Sequence, residues 1–518
     1  MPLIQEILFR SSVDFPDKEV AVCGDSRISY GELEKASSIL ADFLLTQGVG
    51  RGSRVGIFAN KCLNEIIAIF AILKIGGIFV HINPQFKESH LSHVIADCDI
   101  EVLFIDDYKS TILKRALPEK SPINAIVSLS SEVNLDSKFK KKLFNLNDIL
   151  ARSTSSMMSS HQLDENDAAS IIYTSGSTGM PKGVIVTHKI FYDATTTSAK
   201  ILENNHEDRL ISVTPFSFDG ALSQLFTSIL VGGTLVQQKS NFPKDVVTTL
   251  IKEKITGFHA MPSFWRMMLQ KYSPFPKYDY PCLRYISIIG EVFPEKQLDK
   301  LREILKKTKF YMMYGTTEAF RSTYLPPGDF ERKKRSVGIP FPGVEIAIVD
   351  EKGNICQAGE IGEIIHKGSF ISPGYWNDKE ITNRTFEKGY IHTGDLGKLD
   401  EDGYLYFVGR KDSMIKVQGY RVSPAEIESC LYQIEGIKEA AVIGIPGDDT
   451  GTSILAVIAA KDGYELSRED IILRCRDRLP NYMVPNEVQF LDDLPRTATF
   501  KINNSELIKM IKSGKPTK

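Results

Sequence analysis

The chain has almost no net charge: 63 lysine and arginine residues stand against 65 aspartate and glutamate residues in 518, a formal balance of −2. That balance excludes the strongly basic footprint of a nucleic-acid-binding protein, although local basic patches remain open. Cysteine is scarce and scattered. The seven residues, Cys23, Cys62, Cys98, Cys282, Cys356, Cys430 and Cys475, contain no C-x-x-C pair and no Cys/His cluster of zinc spacing, so a reduced, cytoplasmic setting is expected. Long apolar runs are missing too. The most apolar stretch, 66–82, is broken by Lys74 and by Gly76-Gly77, and reads as a buried helix, a glycine turn and a strand; no membrane span is expected. The segment Met1-Pro2-Leu3-Ile4-Gln5-Glu6 lacks the basic start, apolar core and small-residue cleavage site of a secretory signal, so none is expected. No internal repeat is evident. An apolar content of 42% and a charged content of 25% are ordinary for a soluble globular protein, and 518 residues exceed what one hydrophobic core usually supports, so two or more domains are expected.

What is present begins with alternation. Strand-like runs at 54–58, 77–81, 102–105 and 125–129 interleave with helical patterns at 30–47, 61–74 and 87–97, the rhythm of βαβ units on a parallel sheet. Gly48-Val49-Gly50-Arg51-Gly52-Ser53 looks superficially like a dinucleotide fingerprint. It precedes a strand instead of following one and ends in serine, so it reads as a helix-ending turn. A polar Ser/Met-rich stretch, 153–162, reads as a connector. From about residue 338 the pattern changes to short strands with glycine turns at 344–349, 362–366 and 404–408. Beyond Asp412, strands at 415–417 and 439–445 and helices at 424–432 and 468–478 suggest a further compact unit.

The most informative stretch is Tyr173-Thr174-Ser175-Gly176-Ser177-Thr178-Gly179-Met180-Pro181-Lys182-Gly183-Val184, set between the strand-like runs 168–173 and 184–186. Glycines let consecutive backbone N–H groups turn toward one anion, the hydroxyls add donors and Lys182 adds a mobile positive charge, so the loop suits phosphate. A Walker loop would need four residues between its first glycine and a Gly-Lys-Ser/Thr triplet, a spacing that is not found here.

The loop closely resembles the phosphate-binding signature of the AMP-forming adenylating enzymes, which comprise acyl- and aryl-CoA synthetases, the adenylation domains of nonribosomal peptide synthesis, and firefly-type luciferases. The resemblance continues in order through Tyr30-Gly31-Glu32-Leu33, Tyr314-Gly315-Thr316-Thr317-Glu318, Tyr390-Ile391-His392-Thr393-Gly394-Asp395, Gly409-Arg410-Lys411-Asp412 and Lys501, and so covers essentially the whole chain. It implies an α/β fold: a large N-terminal domain over 1–411, built of βαβ layered sheets with a β-rich subdomain at about 338–411, then a small, mobile α+β C-terminal domain over 412–518. It also implies ATP and Mg²⁺ as cofactors and a standalone ligase of bacterial type.

In such an enzyme ATP would be held by Thr174, Ser175, Gly176, Ser177, Thr178 and Gly179 of the loop, with Lys182 beside them. Gly290 and Glu291 would contact adenine, Tyr314 would lie against its face, and Gly315 and Thr316 would continue that wall. Thr317 would contact phosphate, and Glu318, a hard oxygen ligand, would hold the metal. Asp395 would anchor the ribose, since one carboxylate can accept from both vicinal hydroxyls, and Arg410 would contact ribose or phosphate. Lys501 would bridge the substrate carboxylate and the α-phosphate, a task suited to a compact point charge; Phe500 stands where the family usually has glycine. Asp412 would be the hinge about which the C-terminal domain rotates, and Gly419, in Lys416-Val417-Gln418-Gly419-Tyr420, would line a pantetheine tunnel.

Phe216-Ser217-Phe218-Asp219 corresponds to the segment that opens the acyl pocket, with Ser223, His259, Ile289, Met313 and Arg321 on its wall. In amino-acid-activating relatives an aspartate at the position of Asp219 holds the substrate ammonium. Arg321 either faces solvent or, if it points inward, needs a partner such as Asp219, because a buried unpaired guanidinium is costly. His188 and His259 read as core or hydrogen-bonded histidines rather than bases. The expected activity is therefore ATP-dependent activation of a carboxylic acid, with an amino acid preferred, and its transfer to the phosphopantetheine thiol of a carrier protein. The alternative is an acyl-CoA synthetase that uses free CoA and a fatty or aryl acid. Nothing in the sequence argues for luciferase-type oxygen chemistry.

Overall fold

The computed structural model describes residues 2–117, 121–130, 143–152, 163–175, 180–290, 293–411, 414–417, 420–446, 452–497 and 501–512. Among them, strands form two large, mainly parallel sheets of seven and nine strands, a five-stranded sheet, a two-stranded ribbon and a three-stranded sheet. The expected alternation is realised closely. Strands run over Arg54–Phe58, Ile78–His81 and Val102–Ile105, and helices over Tyr30–Thr46, Leu63–Lys74 and Glu88–Asp97.

Local chemistry explains the boundaries. The helix Tyr30–Thr46 starts where the Ser29 side chain accepts from the Glu32 N–H and the Glu32 carboxylate accepts from the Ser29 N–H, a reciprocal cap. The Tyr30 hydroxyl then donates to the Gly233 carbonyl at 2.7 Å, tying this helix to the nine-stranded sheet. The helix Leu63–Lys74 is apolar almost all round and is buried along most of its length. It ends at Gly76, whose φ of 71° is a conformation that favours glycine.

One core joins the two large sheets. Val55 and Ile57 from the seven-stranded sheet, and Leu210 and Tyr285 from the nine-stranded sheet, share it with the helices Leu63–Lys74, His188–Ile201 and Asp219–Leu230. Phe226 lies 4.9 Å from Phe191 and 6.0 Å from Phe70, ring centre to ring centre. Alternate residues, such as Phe58, Leu103 and Ile105, fill a second core on the opposite face of the seven-stranded sheet, and Ile211 and Ile286 do the same for the nine-stranded one. Strands Val344–Val349, Gly362–Gly368, Tyr390–Leu399 and Leu405–Arg410 pair antiparallel, matching the change of pattern read near residue 338. Near the C-terminus, Ile437–Pro446, Thr452–Ala460 and Glu487–Phe490 form the three-stranded sheet, with helices Pro424–Leu431 and Arg468–Arg476 on one face and Asn504–Lys512 on the other. No helix among the described residues is long and apolar enough to cross a membrane.

His188 begins its helix fully buried, and neither ring nitrogen has a hydrogen-bond partner among the described residues. Burial lowers its pKa to about 4 from 6.5, against the opposing field of Asp167. Between those values the unfolded chain binds more protons than the folded one. The contribution is therefore complete above pH 6.5 and is lost as the pH falls toward 4, by up to about 3 kcal/mol. His188→Leu is expected to shrink the drop in urea midpoint between pH 7 and pH 5. Unchanged pH dependence would show that the site does not take up a proton on unfolding.

Candidate active site

The parallel strands Gly257–Ala260, Tyr285–Ile289 and Lys309–Tyr314 are neighbours in the nine-stranded sheet, and their C-terminal ends open into a cleft of about 2000 Å³. Ligand sites in open α/β sheets form at such ends because the backbone there turns into loops that carry side chains. Three other parts of the chain close the cleft: the hairpin of Ala168–Ser175 and Pro181–Thr187, the five-stranded sheet, and the hairpin bearing Lys501.

From the first hairpin Thr174 and Lys182 line the cleft; they are cross-strand partners, so the antiparallel register sets them side by side. The strand Lys309–Tyr314 delivers Tyr314, whose hydroxyl donates to Asp395 Oδ2 at 2.7 Å, while its ring lies 5.9 Å from that of Phe407. Asp395 sits opposite Arg410 in the register of the five-stranded sheet, and Arg410 Nε stands 3.2 Å from Asp395 Oδ1. The carboxylate is thus held by a phenol and a guanidinium, with Thr393 Oγ1 accepting from its own N–H. Gly315, Thr316, Thr317 and Glu318 follow Tyr314 along the same wall. Glu318 Oε1 accepts from the Tyr375 hydroxyl at 2.6 Å, which fixes its carboxylate at the cleft.

Lys501 enters from the C-terminal unit. Its hairpin is closed by the Thr497 N–H donating to the Lys501 carbonyl and the Asn503 N–H donating to the Pro495 carbonyl, both at 2.7 Å. At its base Arg496 pairs with the buried carboxylate of Glu439. The Lys501 ammonium donates to the Gly290 carbonyl at 2.8 Å. Gly290 has φ 103°, a left-handed conformation that favours glycine and turns its carbonyl toward the lysine. The two units also meet where the Arg266 guanidinium lies 5.5 Å from the Tyr432 ring centre.

On the other side, Asp219, His259, Ile289 and Met313 line the cleft. Ser223 lies one turn into the helix Asp219–Leu230 and is buried away from the cleft surface. Arg321 is likewise set behind the wall: it points inward, and its Nη1 is 3.6 Å from Asp219 Oδ2, with side chains 5% and 25% exposed respectively. The same Nη1 donates to the Phe320 carbonyl. Phe320 has φ 44°, an uncommon left-handed conformation for a bulky residue. Burial raises the Asp219 carboxyl pKa against the opposing charge of Arg321. His259 Nδ1 is 2.9 Å from Ser287 Oγ, and burial, then the charge of Arg321, push its pKa down to about 3, so the ring is neutral.

Gly176, Ser177, Thr178, Gly179, Glu291, Asp412 and Gly419 lie outside the described residues, as does the connector 153–162; of Ser175 only the backbone is described. Sequence reasoning missed Tyr375, Arg496 and Glu439. None lies in the quoted motifs, and no local pattern marks a residue that positions another.

The profile of the AMP-binding enzyme family matches residues 8–376, and that of the AMP-binding enzyme C-terminal domain matches 426–501. The chain is 27% identical to a long-chain-fatty-acid–CoA ligase of Bacillus subtilis (strain 168), across 98% of this chain and 94% of that protein. It is 28% identical to a plipastatin synthase polypeptide of the same organism, across 96% of this chain but 19% of that protein. Its structure is similar to the anthranilate CoA ligase AuaEII in complex with anthranoyl-AMP, with a TM-score of 0.90 and 26% identity over 99% of this chain and 98% of the other. The α/β fold expected from the motifs is therefore the fold observed, and the resemblance to AMP-forming adenylating enzymes holds over nearly the full length. Matched by that profile over more than half of its length, the chain belongs to the AMP-binding enzyme family.

Proposed function

We propose that the protein is an ATP- and Mg²⁺-dependent, AMP-forming acid–thiol ligase that converts a carboxylic acid to an acyl-adenylate and passes the acyl group to the thiol of free CoA. The observation that carries adenylation is the reach of Lys501 into the cleft at Gly290, beside Tyr314, Asp395 and Glu318. In the first step a carboxylate oxygen attacks the α-phosphorus and pyrophosphate leaves. In the second the CoA sulfur attacks the acyl carbon and AMP leaves. Lys501 would bring the two anions together and stabilise the charge that develops between them. Asp395 would accept from the ribose hydroxyls, Tyr314 would flank the base, and Thr174, Thr317, Lys182 and the loop glycines would cradle the phosphates.

The donor set at Glu318 suits magnesium, which is commonly bound through one or two carboxylates plus substrate phosphates. Glu318, steadied by Tyr375, would hold it, and the ion would neutralise phosphate charge. Between half-reactions a rotation about Asp412 would withdraw Lys501 and bring Gly419 to the thiol channel, with the chain divided into 1–411 and 412–518.

The acceptor favoured by the sequence is a carrier-protein arm. Free CoA is the better reading, because the relatives matched along their own length are named CoA ligases, whereas the peptide synthetase is matched over 19%. Asp219 tips the sequence reading toward the carrier protein, yet it already has a cationic neighbour in Arg321. The test is to supply ATP, Mg²⁺, CoA and a panel of fatty, aryl and amino acids and analyse the products. AMP, pyrophosphate and an acyl-CoA thioester are expected with at least one acid. Release of ADP, or thioester only on a phosphopantetheinylated carrier protein, would overturn the proposal.

A further inference from the structure

The acyl side of the cleft is unusually polar for a pocket that takes a hydrocarbon chain. Ser217, Asp219 and His259 all line it. Ser217 is 4% exposed, and its hydroxyl has no hydrogen-bond partner among the described residues. Asp219 follows two residues later at the start of its helix, with Arg321 behind it at 3.6 Å. His259 is held by Ser287 on one nitrogen, while the other faces Gly220 so closely that a Cβ there would come within 2.7 Å. An alkyl chain in this space would leave the Ser217 hydroxyl unanswered and the Asp219 carboxylate with only Arg321 and backbone N–H groups to answer it.

Charge narrows the choice. Asp219 and Arg321 sum to zero, and His259 is neutral. An ammonium would be drawn to Asp219 but repelled by Arg321, and a second carboxylate would meet the reverse. A group that is uncharged and both donates and accepts satisfies the wall without unbalancing it: it can donate to the Asp219 carboxylate and accept from the Ser217 hydroxyl. Resting on the adenylation reading above, we propose that the acid activated here carries an uncharged hydrogen-bonding substituent, a hydroxyl or carboxamide, which Asp219 and Ser217 read while Arg321 offsets the charge of Asp219. Arg321 acts through Asp219 and is a positioning residue. The Phe320 carbonyl accepts from its Nη1.

The experiment is ATP–pyrophosphate exchange with acids sharing one carbon skeleton and bearing a hydroxyl, an ammonium or only hydrogen, at saturating ATP. With wild type, the hydroxy acid is expected to exceed both others in kcat/KM by about a hundredfold, since a site built to hydrogen-bond a group rejects the analogue that lacks it. Arg321→Met should shift the ratio of ammonium to hydroxy acid by about tenfold or more toward the ammonium, because Asp219 is then uncompensated. Arg321→Lys should retain the wild-type ranking. A wild-type enzyme that prefers the ammonium or the alkyl acid overturns the proposal, as does a ratio unmoved in a folded Arg321→Met variant. If that variant does not fold, the wild-type ranking alone decides. Exchange with any of the three acids upholds adenylation whatever the ranking, and absence of exchange with every acid of the broader panel would instead remove the reading on which this one rests.

Discussion

Lys501→Ala is expected to slow acyl-adenylate formation by about a hundredfold or more, about 3 kcal/mol, while thioester formation from a supplied acyl-adenylate and CoA loses far less. The reason lies in how the lysine reaches the cleft. Its hairpin is braced by two backbone hydrogen bonds and by Arg496 on Glu439, and the ammonium ends on the Gly290 carbonyl, where anions would meet. A charge-assisted contact that strengthens as charge develops acts on the barrier more than on ground-state binding. The contribution is confined to the first step if the C-terminal unit rotates before the second. Lys501→Arg should rescue poorly, since a planar fork does not replace a compact ammonium beside a glycine carbonyl. Pyrophosphate exchange and single-turnover thioester assays separate the two steps. Equal loss in both would refute the rotation.

Asp395→Ala should weaken ATP binding by about thirty- to a hundredfold, about 2–3 kcal/mol, read as the Kd for ATP by calorimetry with folding checked by circular dichroism. Two effects add. The nucleotide loses the carboxylate proposed to accept its ribose hydroxyls, and the Tyr314 hydroxyl and Arg410 lose an acceptor that positions them. Asp395→Asn separates them, because an amide oxygen still accepts from Tyr314 but carries no charge for Arg410. An intermediate affinity is expected for it. ATP binding by the alanine variant at wild-type strength would remove Asp395 from the nucleotide site.

The sequence by itself determined the elements and the family. Periodicities of two and of 3.6 are local properties of the chain, so the strand Arg54–Phe58 and the helix Tyr30–Thr46 were legible from apolar spacing. The glycine turn after the helix Leu63–Lys74 was legible for the same reason. The motif residues were legible as candidates, since a run of glycines, hydroxyls and a lysine suits an anion.

What only the tertiary structure decided is which charged groups meet. Tyr375 reaches Glu318 across 57 residues, and Lys501 reaches Gly290 across 211, and no local period encodes either contact. Arg321 shows the difference most sharply. From the sequence it could face solvent or the pocket with equal ease. In the structure it points inward, following a left-handed φ at Phe320 that aromatic residues rarely adopt on their own. Arg321 thereby stands behind Asp219, and the cleft wall carries a balanced pair instead of a free negative charge.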